Sequence, residues 1–228
     1  MPDATQNPFA GLTGLSVDRS SAAEQVADAM RGLIRQGQVR PGQPLPEASL
    51  ASLLGMSRNT IREAFRLLSA DGLVVYQVHR GVEVRRLAEA DIADIYTARR
   101  VLEAAALRVP SEPEPARLEA LRDAVDTAAA AAERGDWTQV ATSNLVFHQR
   151  IVELLGSPRI DGFFAGMLAQ LRLAYASIAD EAGYFGPYVA ENRHLYELIA
   201  DGRRAEAARE LERYLDRSEP STLEGLGA

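Results

Sequence analysis

The 228-residue sequence contains no cysteine and no lysine. Without cysteine there is no disulfide, no thiolate metal ligand and no cysteine nucleophile. That suits a reducing compartment, and a cytoplasmic location is expected. Without lysine, every side-chain cation other than histidine is one of 25 arginines, so phosphate and carboxylate contacts must be made by planar guanidinium groups. Histidine is scarce, with three residues far apart in the chain. No apolar run reaches the length of a membrane span, and the start lacks the charged-then-apolar pattern of a secretory leader. No membrane partner is expected.

What is present is unevenly placed. The net charge is −7, yet residues 18–86 hold 10 arginines against 7 acidic residues, a net of +3. Such asymmetry suggests a nucleic-acid-facing module joined to an acidic body. Residues 1–17 carry Pro, Gly, Asn and Thr without periodicity and read as an arm. After Ser21, Val26, Met30, Leu33 and Ile34 form a helical apolar stripe. "GQVRPGQPLP" breaks it, and a short helix is expected over 47–54, closed by Gly55. Ser57 is a good N-cap for a helix over 58–70, whose buried stripe is Ile61, Ala64, Phe65 and Leu68. Arg58, Arg62 and Arg66 line another face at intervals of four. β-Branched runs either side of "HRG" then read as a hairpin. Helix, helix, turn, helix and hairpin is the order of a winged helix-turn-helix. From 88 onward the pattern is helical throughout, with helices expected near 89–108, 113–134, 137–155, 158–182, 186–201 and 203–218. The expected fold is therefore mainly α. A flexible N-terminal arm (1–19) precedes the winged helix-turn-helix (20–87). An all-helical antiparallel bundle (88–218) and a flexible tail (219–228) follow.

The stretch "IRQGQVRPGQPLPEASLASLLGMSRNTIREAFRLLSADGLVVYQVHRGVEV" resembles the GntR family winged helix-turn-helix. "YTARRVLEAAALR", "NLVFHQRIVELLGSP" and "ENRHLYELIADGRRAEAARELERYL" are similar to the FCD effector domain of the FadR subfamily, in its six-helix, VanR-like form. The resemblance implies a homodimeric transcription regulator, not an enzyme. Such a regulator, commonly a repressor, binds a pseudo-palindromic double-stranded DNA operator and is released by a small organic acid. The DNA contacts it implies fall on Arg58, Asn59, Thr60, Arg62 and Arg66 in the recognition helix, and on His79, Arg80 and Gly81 at the wing tip. Arginine can grip guanine O6 and N7 with two hydrogen bonds. Many relatives carry an arginine within "ERxL" before the turn; here "EASL" places Ala48 there, so one contact is expected to be absent.

Many FCD domains hold a metal on an Asp or Asn, a His four residues later and two further histidines. Here those positions are Asn144, His148, Asn192 and Tyr214. One imidazole with two amides and a phenol is a poor set for zinc, so no cofactor is expected. A divalent metal such as zinc, if bound, would use Asn144, His148 and a shifted His194. Arg99, with Glu103 one turn on, matches the family's pocket arginine, and Arg172 sits mid-helix among apolar residues. The expected effector set is Arg99, Asn144, His148, Arg172, Asn192 and Tyr214, suited to a small anionic or hydroxylated ligand. Trp137 reads as packing, and Tyr184, Phe185 and Tyr188 as a loop anchor or a cover over the ligand. Two alternatives stand beside the regulator. One is a constitutive DNA binder with a ligand-free helical domain. The other is a helical metal or carboxylate enzyme, which lacks a nucleophile–base motif and a phosphate loop. The effector, the operator and the direction of regulation are not named by the sequence.

Overall fold

The computed structural model describes residues 21–109 and 114–227; the expected arm, 1–19, lies outside them. Helix α1 (Ala22–Arg35) begins on a reciprocal cap, in which Glu24 N donates to Ser21 Oγ and Ser21 N to Glu24 Oε2. It buries Ala23, Val26, Ala27, Met30 and Ile34; Leu33, expected in that stripe, lies on its exposed edge. Helix α2 (Glu47–Leu54) stops at Gly55, whose φ of 64° is the left-handed conformation that glycine adopts without strain. Ser57 then caps α3 (Arg58–Ala70), its Oγ accepting from Thr60 N at 3.1 Å. Ile61, Ala64, Phe65 and Leu68 of α3 are all buried against α1 and α2.

The wing pairs β1 (Val74–Gln77) with β2 (Gly81–Val84) antiparallel, with Val74 opposite Val84 and Gln77 opposite Gly81. Arg80 N donates to Gln77 O, and His79 takes φ 63° in the intervening turn. The segment before α2 adds an edge, since Leu45 N donates to Val82 O and Val84 N to Gln43 O.

Six helices build the second core: α4 (Glu89–Arg108), α5 (Pro115–Glu133), α6 (Trp137–Glu153), α7 (Pro158–Tyr175), α8 (Glu181–Ala200) and α9 (Arg204–Gly227). Two expectations need correction. The break after α7 falls at 176–180, not within "GYFGP". Asp180 Oδ1 accepts from Gly183 N and starts α8 early, so Tyr184, Phe185 and Tyr188 lie on a helix rather than a loop. Pro187 is tolerated inside α8 because it sits on the exposed face, where the carbonyl it leaves unbonded can meet water. The expected flexible tail is instead the last turns of α9: Thr222 is fully buried, and its hydroxyl lies 2.9 Å from Tyr96 Oη and 2.5 Å from Tyr184 Oη.

The two cores meet along α7. Its Ala169 and Leu173 join the winged-helix core while Leu168 and Leu171 face the helical one. Gln170 Nε2 donates to Asp71 O at the end of α3 at 2.8 Å, and Thr142 Oγ1 on α6 donates to Arg35 O at 3.2 Å.

Candidate functional site

Two assemblies of polar side chains stand out, one exposed and one buried. On the exposed face, Arg58 and Asn59 open α3 and project from its first turn. Thr60 is half-buried, its Oγ1 bonded to Ser57 Oγ at 2.9 Å, so its hydroxyl serves the cap first. Arg62 is held by Glu47 of α2 at 2.8 Å, and Arg66 pairs with Glu63 at 3.0 Å. His79 and Arg80 are exposed at the wing tip beside Gly81, whose φ is 83°. The helix start and the wing are thus the freest cations of this face. Arg62 reaches outward only by leaving a carboxylate.

The buried assembly lies inside the six-helix core. Arg99 and Glu103 sit one turn apart on α4, Asn144 and His148 one turn apart on α6, Asn192 on α8 and Tyr214 on α9; all six are buried. Arg99 Nε donates to Glu103 Oε1 at 2.7 Å, and the other carboxylate oxygen lies 2.6 Å from His148 Nδ1. Burial is the largest single influence on the Glu103 pKa and would raise it, but the Arg99 guanidinium and His148 together outweigh it, so the carboxyl is held below its ordinary value. Burial pushes the His148 pKa down, and Glu103 only partly offsets this against the nearby Arg99 charge. A neutral ring facing a carboxylate donates from Nδ1, which leaves Nε2 as an acceptor. Asn144 Nδ2 donates to Tyr214 Oη at 2.7 Å, and the Tyr214 ring lies 5.0 Å from that of His148. Tyr96 packs under Arg99, 4.9 Å from ring centroid to guanidinium carbon.

Several buried atoms of this set have no hydrogen-bond partner among the described residues: both Nη of Arg99, Asn144 Oδ1, His148 Nε2 and Asn192 Oδ1. Buried polar atoms are rarely left unpaired, so these orphans call for partners that the described residues do not supply. Two donors on a fixed fork match a carboxylate, while three acceptors ask for hydroxyl or amine hydrogens.

The same atoms test the metal that the fold family implies. The donors on offer are one imidazole nitrogen and two amide oxygens, with no anion among them. Burial raises the Tyr214 pKa well above its ordinary value, so its phenol stays protonated and bonded to Asn144. His194, the shifted ligand considered above, is exposed on α8 and lines a groove of about 220 Å³ that reaches Tyr214 but none of Asn144, His148 or Asn192. These residues do not fit a zinc-like ion. Arg172 also falls elsewhere. It lies in the last turn of α7, lining a cleft beside Gly37 and Trp137 rather than joining the Arg99 set.

Sequence reasoning missed Tyr96 and Thr222, and read Tyr184 as a loop anchor or cover rather than as a helical residue bonded to Thr222. Tyr96, Arg99 and Glu103 do share one helical face at i, i+3 and i+7, a usable signal. Thr222 carries none.

Residues 22–84 match the model of the family described as bacterial regulatory proteins, gntR family, and residues 94–217 match the FCD domain. The chain belongs to the GntR family. Within it, the chain is 34% identical over 140 residues to a Paenarthrobacter nicotinovorans protein named "Probable D-xylose utilization operon transcriptional repressor". That match covers 61% of this chain and 62% of the relative, so it spans about three-fifths of each. An uncharacterised HTH-type transcriptional regulator of Agrobacterium vitis is 36% identical over 152 residues, 65% of this chain and 89% of its own. Among solved structures, a GntR transcriptional regulator from Rhodococcus sp. RHA1 superposes with a TM-score of 0.84 at 34% identity, covering 90% of this chain and 98% of that one. The fold described above is thus that of a GntR regulator. No helix among the described residues is long and apolar enough to cross a membrane.

Proposed function

We propose that this GntR-family chain is a ligand-responsive transcriptional repressor. It binds a pseudo-palindromic DNA operator as a homodimer in the cytoplasm and is released by a small hydroxylated carboxylate. The observation that carries the ligand half is the buried Arg99 fork, both Nη unpaired, facing a set whose other orphans are acceptors. The carboxylate takes the fork, and hydroxyl hydrogens satisfy His148 Nε2, Asn144 Oδ1 and Asn192 Oδ1. A dry setting makes the charged pair strong and an uncharged analogue weak. The P. nicotinovorans relative is named for a sugar-utilisation operon, which agrees with a polyhydroxylated ligand.

The DNA half rests on a capped α3 that projects Arg58 and Asn59 from its first turn, beside a wing carrying His79 and Arg80. In the winged helix-turn-helix arrangement the N-terminal residues of the recognition helix meet base edges. Ala48 contributes no contact there.

The test is fluorescence anisotropy on an operator selected from random duplex, with a panel of sugar acids and hydroxy acids added. Release of the duplex by one acid, with EDTA present, is the expected outcome. An operator complex that no acid disturbs, and a melting point that no acid raises, would instead establish the constitutive binder.

A further inference from the structure

A second polar cleft lies where the two domains meet. Its volume is about 670 Å³, and it is lined by Gly37 and Arg40 beyond α1, Trp137 and Thr138 opening α6, Arg172 in the last turn of α7 and Glu181 opening α8. Arg172 is only 1% exposed, yet its Nε and Nη1 have no hydrogen-bond partner among the described residues. Glu181 is the carboxylate whose charge it feels most, but the two do not form an ion pair. Two other acids near these helix starts are already engaged: Asp136 Oδ1 accepts from Gln139 N at 3.0 Å and Asp180 Oδ1 from Gly183 N at 2.9 Å. On the opposite wall, Gly37 takes φ 69° and brings bare backbone against the guanidinium; a Cβ there would overlap Arg172 Nη2. The result is a buried cation with two donors that neither Asp180 nor Glu181 of the cleft wall meets with a hydrogen bond, a costly arrangement unless an anion completes it. Arg40, exposed on the rim, supplies a second positive charge.

We propose that this cleft binds a compact oxyanion, a carboxylate or a phosphate group, held by Arg172 and Arg40. It is a second ligand site, separate from the Arg99 set. Because Gly37 and Arg40 belong to the DNA-binding domain and Arg172 to the helical one, a bound anion ties the two together. It is therefore a second input to operator binding.

The protein carries its own probe. Trp137 is the only tryptophan in the chain and lines this cleft. The experiment titrates inorganic phosphate, and separately citrate, into the full chain at constant ionic strength while reading tryptophan emission. A saturable change with at least one of them is expected, and the two arms separate phosphate from carboxylate. Arg172→Met should abolish it. Arg40→Ala, a rim substitution that leaves the fold intact, should weaken it about tenfold, as loss of one charge-assisted contact implies. Arg99→Met should leave it in place. Glu181→Gln should tighten it by removing a competing negative charge. The proposal falls if neither anion gives a saturable change, or if the change survives both Arg172→Met and Arg40→Ala. It falls equally if Arg99→Met alone removes the change. A Glu181→Gln variant that loses both stability and the anion response would make Glu181 the counter-ion and also overturn it.

Discussion

Replacing Arg99 by Met is the sharpest probe of the buried polar set. The substitution keeps length and apolar stem but removes the charge that holds Glu103 ionised at 2.7 Å. Removing one partner of a buried pair usually costs about 3–5 kcal/mol, because the other charge is left stranded. Here the loss sits near the lower end, since His148 Nδ1 still faces Glu103 at 2.6 Å. At this chain length each kcal/mol moves the melting point by about 2–4 °C, so a fall of about 6–12 °C is expected. The double variant Arg99→Met, Glu103→Gln should recover much of that fall, because a neutral amide strands no charge. A ligand at a hundred times its Kd adds about 2.7 kcal/mol to the unsubstituted protein by mass action. That increment should vanish in both variants, since the fork is gone in each. Thermal melts of the three proteins, with and without the acid that releases the operator, read every term. A single variant melting within about 2 °C of the unsubstituted chain and keeping its ligand shift would refute both the pairing argument and the placement of the ligand.

Other outcomes follow from the same structure. Acid should destabilise the protein in two stages. His148 is depressed below 6.5, so stability falls as pH drops below that value. Glu103 is depressed below 4.5, so more is lost below that pH. In both windows the unfolded chain binds more protons than the folded one. Denaturant melts at stepped pH check this, and His148→Gln should remove the upper stage and shrink the lower one, since His148 also helps hold Glu103 down. Thr222→Val should cost about 1–3 kcal/mol, because the hydroxyl that donates to Ser218 O also serves the Tyr96 and Tyr184 hydroxyls; an unchanged urea midpoint would show that α9 does not need that junction. On DNA, Arg58→Ala should cost about 1–3 kcal/mol and relax sequence preference at one base step. Arg80→Ala should instead weaken all duplexes alike and lower the log–log salt slope by about one. Anisotropy at several salt concentrations separates the two, and equal behaviour of the variants would contradict the placement of Arg58 against bases.

The DNA-binding half was legible because its signals are local. The left-handed Gly55 and the Ser57 cap each act within four residues, so each can be read without knowing the fold; the Ser21–Glu24 cap is equally local but was not read. The α7–α8 connection was misplaced for the converse reason. "GYFGP" looks like a breaker, but Asp180 caps a helix that then carries Phe185 and Tyr188 into the core, and that burial outweighs one proline on the wet side. The end of α9 was missed because Thr222 is secured by tyrosines 38 and 126 positions away. In the buried set, spacing places Arg99 over Glu103 and Asn144 over His148, but no spacing says that the pairs face each other across α4 and α6. Arg172 shows the limit most clearly. Periodicity marks it as buried; it does not say which of two cores, or which seam between them, does the burying.

That ambiguity belongs to α7 itself, which serves both domains. Leu168 and Leu171 pack in the helical core, while Ala169 and Leu173 pack under α1 and α3. Between them Gln170 bonds to the carbonyl of Asp71, the residue that ends the recognition helix. Tyr175, one turn beyond Leu171, is buried against Tyr184 and Phe185 and lies within the field of Arg99. Close-packed cores do not absorb a shifted helix by compression. A ligand that drew Arg99 toward a carboxylate would repack the aromatic residues on Tyr175, and any resulting shift of α7 would be felt at both ends of the same rigid element. The coupling between ligand and operator then needs no long chain of side chains. It needs only that one helix is a wall of two cores at once.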